Sequence, residues 1–338
     1  MRDDSTLTAE PPVVPLGPRL APVPTRPLWT PRRAVVLIGA YLAGLLAMVL
    51  TRGLHISSDR YFLILLVPAV ALGLSRRYLI DFGVFIAAMI GYEYSRGLAF
   101  WLNDTVLDRG AFYAPMIDAE KALFGGAIPT QTLQSWFWNG HVRWFDHLVA
   151  YFDHVHFFVP PTLLFLIWLE RRALFYRCAL ALVTTSLIGA LVFLAFPAAP
   201  PWLAAQHGLI DVVNINAAES AVNGLPHGAS LIAGHIPRNA VAAVPSLHAA
   251  YALLTLLFAW SWRRRVGHAF LVYPVAMWFT IVYLGDHYVV DVLAGVLVAL
   301  VGWTLSGRLL RPGGSLRRLA GPFPPPFRHA RLFGGPPL

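Results

Sequence analysis

Charge is scarce in this chain. Asp, Glu, Lys and Arg make up 13% of its 338 residues, about half their share in an ordinary soluble domain. Hydrophobic residues reach 57% and mean hydropathy is +0.60. These figures exclude a soluble globular domain and imply a polytopic membrane protein. Cysteine is nearly missing too: Cys178 stands alone inside an apolar run, which excludes an intrachain disulfide. No Cys/His spacing suggests structural zinc. The formal charge of +9 comes without aromatic–basic interleaving on a polar strand, which argues against nucleic acid. It reads as membrane orientation and lipid contact. No apolar core follows the first charges, so residues 1–31 do not read as a signal peptide. No internal repeat is visible. Both ends are proline-dense, and residues 1–31 and 312–338 are expected to be disordered tails.

Long apolar runs are what the chain does have. A bilayer core of roughly 30 Å takes about 17–25 apolar helical residues. Runs that fit fall at 34–50, 60–75, 78–102, 150–169, 174–196, 247–262, 266–284 and 287–307. They predict an all-α transmembrane bundle of about eight spans, with a membrane domain over 32–311. Residues 103–148 mix polarity and carry Trp136, Trp138 and Trp144. That pattern predicts an interfacial helical segment, because Trp favours the headgroup level.

Positive charge orients the spans. Arg26, Arg32 and Arg33 precede the first, and Arg76 and Arg77 follow the second. Arg171 and Arg172, Arg263–Arg265, and Arg308 and Arg311 follow the fourth, sixth and eighth. Alternate threading puts all of these on one face, with Arg52 and Arg60 the exceptions. The opposite loops carry Asp104, Asp108, Asp118, Glu120, Asp146 and Asp153. Both termini are therefore expected in the cytoplasm of a plasma-membrane protein.

Three stretches then share the outer face. Phe196-Pro197-Ala198-Ala199-Pro200-Pro201-Trp202 closes the fifth run. Val244-Pro245-Ser246-Leu247-His248-Ala249-Ala250-Tyr251 opens the sixth. Tyr283-Leu284-Gly285-Asp286-His287-Tyr288-Val289-Val290-Asp291 opens the eighth. His287 and Asp291 stand at i and i+4, so on a helix they share a face. A carboxylate holding Nδ1 of His287 leaves Nε2 bare and basic, as a nucleophile needs. Pro245 suits a first helical position. The free N–H groups of that turn and the Ser246 hydroxyl offer a phosphate site, and His248 in the same turn can protonate a leaving oxygen.

Pro-Ser-x-His followed by His-x-x-x-Asp resembles the type 2 phosphatidic acid phosphatase superfamily. The flanks FPAAPPW, PSLHAAY and YLGDHYVVD resemble its inositol phosphorylceramide synthase (inositolphosphotransferase) branch and the bacterial relatives of that branch. Asp118-Ala119-Glu120-Lys121-Ala122-Leu123-Phe124-Gly125-Gly126 and Pro129-Thr130 share the likeness. The resemblance implies a six-helix core, His287 as phosphoryl acceptor, Asp291 as its orienting carboxylate and His248 as general acid/base. It implies no metal and no cofactor. It also implies a basic clamp of one Lys and two Arg in the phosphatases, which this chain lacks: Ile281 stands six residues before His287, and FPAAPPW has no basic residue.

Arg238, in the loop 203–243, is the candidate replacement for that clamp, with His207, His227, His235 and Asn239 nearby in sequence. A snorkelling interfacial arginine is the plainer reading of Arg238. His156 is a candidate pocket residue. His154-x-His156 lacks a third metal ligand at a convincing spacing. Tyr251 and Tyr288 are candidate headgroup contacts or interfacial anchors. Asp286 is expected to cap the last helix. His55, His141, His147, His268 and His329 have no assigned role. The expected partners are lipid or lipid-phosphate substrates in the membrane. The expected activity is transfer of a phospho-headgroup between lipids, with lipid-phosphate hydrolysis as the alternative. A proton-relaying transporter fits less well, because the polar residues cluster at one face.

Overall fold

The computed structural model describes residues 58–223 and 239–311, with Gly39 alone ahead of them. The expected first span at 34–50, both tails, Arg238, His55, His227, His235 and His329 lie outside the described residues. The described chain is helical, without a strand longer than an isolated bridge. Its helices are α1 (Ser58–Ala71), α2 (Ser75–Trp101, continued by a π turn Leu102–Val106), α3 (Ala114–Leu123), α4 (Pro129–Phe137) and α5 (Trp144–His156). Then come α6 (Val159–Glu170), α7 (Arg172–Ala195), α8 (Pro201–Gln206) and α9 (Ile215–Asn223). The chain resumes with α10 (Leu247–Trp262), α11 (Arg264–Ala269), α12 (Val272–Tyr283) and α13 (Val289–Leu309).

Among the described residues, four helical stretches are long and apolar enough to cross a bilayer: Trp144–Glu170, Arg172–Ala195, Arg264–Tyr283 and Val289–Leu309. Tyr61–Ala71 and Leu247–Trp262 are apolar but shorter. Helix α2 has the length, at 27 residues, but carries Arg76, Arg77, Asp81, Glu93 and Arg96. Outer helix faces expose Leu and Val that a soluble protein would bury: Val84 is 72% exposed, Leu191 67%, Val272 72% and Leu297 63%. Such faces match hydrocarbon rather than water. Residues 103–148 hold α3, α4 and the start of α5, with Trp136 69% and Trp144 75% exposed.

The bundle has two unlike ends. At one, buried Asp81 on α2 accepts from Arg172 Nε (2.6 Å), Trp168 Nε1 (2.7 Å) and the Tyr176 hydroxyl (2.5 Å). Glu170, closing α6, accepts from Trp262 Nε1 (2.9 Å) and Arg263 Nη2 (2.8 Å) beyond the end of α10. Arg177 lies 3.7 Å over the Trp303 ring late in α13. Helices α2 and α7 therefore start together, where α6, α10 and α13 finish. Arginines gather at this end, where each is paired or exposed as a charge must be. At the other end Asn103 donates to the Phe193 and Leu194 carbonyls (3.2 and 3.1 Å), and the three sequence stretches meet. Between the ends, Tyr78, Phe82, Phe165, Trp168 and Phe175 fill the core with edge and stacked contacts.

Helix α13 packs closely because two glycines let it. A Cβ on Gly295 would lie 2.2 Å from the Ser246 carbonyl oxygen, and one on Gly302 would lie 2.2 Å from Thr185 Oγ1. Small residues of this kind allow backbones to approach where lipid gives helices no hydrophobic drive to associate.

Candidate active site

Backbone bonds join the three stretches. The Phe112 N–H donates to Pro197 O (2.8 Å), Ala199 N–H to Phe112 O (3.0 Å) and Ala243 N–H to Ala198 O (3.2 Å). Trp202 N–H donates to Gly285 O (3.0 Å), and Ser246 N–H to Asp291 O (3.0 Å). The proline-rich stretch FPAAPPW thus acts as a strap bonded to the approaches of both histidine stretches. Gln134, buried on α4, adds a clamp. Its Nε2 donates to the Val213 and Tyr283 carbonyls (both 2.9 Å), and its Oε1 accepts from Val213 N–H (2.8 Å). The turn it braces needs Gly285, whose φ of +86° belongs to glycine.

Three expectations about helix starts are corrected. Ser246, not Pro245, borders α10: it is the N-cap, with Oγ accepting from Ala249 N–H at 3.3 Å. A serine there satisfies one of the four free N–H groups of the first turn, which leaves Pro245 outside the helix. His287 is likewise not on α13, which begins at Val289. Asp291 occupies the third helical position and accepts the Tyr288 N–H at 2.8 Å. That bond folds the chain back so that His287 still reaches Asp291. Asp286 does not cap the helix either; its Oδ2 accepts from Asn216 Nδ2 at 2.6 Å.

The histidines meet at the mouth of these helices. His287 Nδ1 is 3.4 Å from Asp291 Oδ2, and His287 Nε2 is 3.4 Å from His248 Nδ1. Their rings are 5.5 Å apart and inclined at 59°. Asp291 is fully buried, and His287 is 7% exposed. His156, 1% exposed, closes one side with its ring 5.8 Å from that of His248. Its Nδ1 meets the Tyr273 hydroxyl at 2.7 Å, and its Nε2 finds no partner among the described residues. Tyr251 lies one turn along α10 from His248, with its hydroxyl 2.6 Å from Ser186 Oγ. Tyr288 is fully buried against Met116, Ile117 and Ile128, an apolar setting that raises its phenol. His154 turns back on its own helix, with Nδ1 2.6 Å from Ala150 O.

Burial lowers the pKa of the His287 imidazole; the charges of Asp286 and Asp153 and a backbone bond to Ala243 oppose it. Burial, helped by Asp153, raises Asp286 to about 6. Glu120 on α3 is pushed to about 7 by burial, against a bond in which its Oε1 accepts Val290 N–H at 2.8 Å. The reading of the sequence did not assign Asp153, Asn216, Gln134 or Glu120 to the site. Asp153 had a visible signal in its place beside His154 and His156, and Glu120 had one in the stretch 118–126. Asn216 and Gln134 had none, because their partners are 70 and 149 residues away in sequence.

The arrangement can serve as a nucleophile with an acid/base partner, because a carboxylate-braced imidazole faces a second imidazole at the capped start of a helix. Residues 117–305, more than half of the chain, match the family model of the PAP2 superfamily, and the chain belongs to that superfamily. Among curated proteins it is 35% identical over 154 residues to the phosphoinositol dihydroceramide synthase of Bacteroides thetaiotaomicron, which covers 43% of this chain and 50% of that one. It is 29% identical over 158 residues to the inositol phosphorylceramide synthase of Candida albicans, 43% of this chain and 32% of that one. It is 30% identical over 138 residues to the catalytic subunit of the Schizosaccharomyces pombe enzyme of the same name, 38% and 31%. The chain spans half or less of the length of each. No solved structure matches it at a significant level.

Proposed function

We propose that the chain is a membrane-embedded phosphotransferase that moves a phospho-headgroup between lipids through a phosphohistidine on His287. The observation that carries this is the relay Asp291–His287–His248, in which Nδ1 of His287 faces a buried carboxylate and Nε2 faces the second histidine. In the first step Nε2 of His287 attacks phosphorus, the bond from phosphorus to the donor lipid oxygen breaks, and His248 protonates that oxygen. In the second, His248 takes the proton of the acceptor hydroxyl, whose oxygen attacks phosphorus and frees His287. The 3.4 Å contact between the histidines leaves no room for a phosphoryl group, so substrate entry must part the two rings. No metal or cofactor enters either step. The names of the relatives suggest inositol phosphate as the group moved and a ceramide-type hydroxyl as acceptor.

The rest of the reading follows from the two unlike ends. We place the arginine-rich end and both tails in the cytoplasm and the histidines at the opposite membrane face, with residues 32–311 as the membrane domain. Hydrolysis of a lipid phosphate would use the same three residues. Transfer is favoured because His287 is almost wholly buried, which keeps water from a phosphohistidine. The deciding experiment supplies radiolabelled phospholipid with saturating acceptor lipid and measures label in lipid product against inorganic phosphate. Lipid product should predominate, and free phosphate across all plausible acceptors would leave hydrolysis standing. His287→Ala and His248→Ala should each abolish turnover in protein that remains folded and inserted; near wild-type activity in either would remove that residue from its role.

A further inference from the structure

The three stretches supply imidazoles and carboxylates but no fixed cation. A transferring phosphoryl group spreads negative charge over three oxygens, and stabilising that charge is most of the catalytic task. Helix α2 brings a candidate from outside the region the family model matches. Arg76, Arg77 and Asp81 lie at its arginine-rich end, whereas Arg96 lies near its other end, nearly two turns before the π turn whose Asn103 bonds the end of α7.

The Arg96 side chain is 31% exposed. Its Nη2 donates to Glu93 Oε2 at 2.8 Å, one turn back on the same helix. Its Nε is buried and finds no partner among the described residues. Nε and Nη2 form one edge of the guanidinium, so Glu93 takes half of a two-donor fork and leaves the other half open. The Arg96 carbonyl accepts from Asn239 Nδ2 at 3.2 Å, and Asn239 Oδ1 accepts the Val241 N–H at 3.0 Å. That ties this turn of α2 to the segment leading into Ser246 and His248. The Arg96 charge is the smallest of the influences on Tyr251, one turn along α10, and on His248. Other cations at this end have different surroundings: Arg109 and Lys121 are exposed, and Arg143 is held by Phe137 and Asp146.

We propose that Arg96 is the cation that grips the phosphoryl oxygens at the His287–His248 pair, exchanging Glu93 for the phosphate when substrate enters. A guanidinium edge matches two phosphate oxygens, a geometry that lysine cannot reproduce. The assignment rests on the phosphoryl-transfer reading above, and it gives a chain without the usual basic clamp a cation supplied by a helix upstream of the three motifs.

The test is orthovanadate binding to the full-length protein in detergent, followed by calorimetry. Arg96→Ala should weaken binding tenfold or more, and Arg96→Lys should weaken it less. Arg109→Ala should leave binding unchanged, and Glu93→Gln, which frees the fork, should tighten it several-fold. Displacement of vanadate by short-chain phosphatidylinositol alone would assign the site to a lipid headgroup. Displacement by inorganic phosphate alone would assign it to free phosphate, and Arg96 holds the anion in both cases. Wild-type affinity in Arg96→Ala overturns the proposal. So does wild-type affinity in Glu93→Gln, which also decides the matter should Arg96→Ala fail to fold. A wild-type protein that binds no vanadate overturns the phosphoryl site as a whole, whereas vanadate binding with free phosphate as the only labelled product removes transfer and leaves Arg96 in place.

Discussion

At the scale of single residues, the site depends on how burial and charge oppose each other at His287. A nucleophilic imidazole must be neutral, so activity should fall as pH drops through its pKa. Burial holds that pKa below the ordinary histidine value, while Asp286 and Asp153 favour the imidazolium and pull it back up. Asp291 braces Nδ1, and His248 faces Nε2. Labelling of His287 should therefore fall on the acid side only below about 6.5, the free histidine value, with an alkaline limb set by loss of the proton that His248 donates. Asp286→Asn deletes one charge that supports the imidazolium, so it should move the acid limb to still lower pH. Rates of phosphohistidine formation against pH, in wild type and variant, check this; an acid limb that stays put or moves upward would remove Asp286 from the electrostatics of His287. Asp291→Asn should be severe but leakier than His287→Ala in the same assay, because it removes orientation and no reacting atom.

At the scale of elements, the position of α13 decides whether the histidines meet. Gly295 lets it approach the N-cap of α10, where any Cβ would collide with the Ser246 carbonyl. Gly295→Ala should cost roughly 1–3 kcal/mol, typical of forced overpacking, and should slow turnover by parting His248 from His287. Thermal melting with single-turnover kinetics separates the two effects; wild-type values for both would mean that α10 and α13 do not need this contact. Glu120 fixes the same helix from the α3 side. With its carboxyl titrating near 7, Glu120→Gln keeps an acceptor for the Val290 N–H and should stay active. Glu120→Ala strands that buried N–H at roughly 1–3 kcal/mol, and should melt earlier. Loss of activity in Glu120→Gln would point instead to a role for the charge. The elements also show what the sequence could reveal. His248, His287 and Asp291 were legible because the first two open apolar runs and the third follows at helical spacing. The helix starts were misplaced by one or two residues, because Ser246 and Asp291 bond backbone N–H groups that spacing does not show. Gln134 and Asn216 were illegible, since their contacts depend on how α4 and α9 dock. Arg96 was illegible because it lies with Glu93 inside the run 78–102, which reads as a single span.

At the scale of the whole molecule, the two ends of the bundle make opposite demands on the membrane. One gathers Arg76, Arg77, Arg171, Arg172 and Arg263–Arg265 around Asp81 and Glu170. The other gathers the histidines, the proline-rich strap and the exposed Trp136 and Trp144. Arginines retained on the cytoplasmic side set orientation, so the proposed topology, with His287 at the far face, rests on the same end that pairs Arg172 with Asp81. The lone cysteine makes this testable without a cysteine-free background, because Cys178 is fully buried. Asp211→Cys, in the exposed loop after α8, should react with an impermeant maleimide from outside sealed right-side-out vesicles. Arg265→Cys, exposed between α10 and α12, should react only from the cytoplasmic side, in inside-out vesicles. Labelling of both from one side would break the link between the arginine-rich end and the cytoplasm. The acceptor lipid would then have to be sought in a different leaflet.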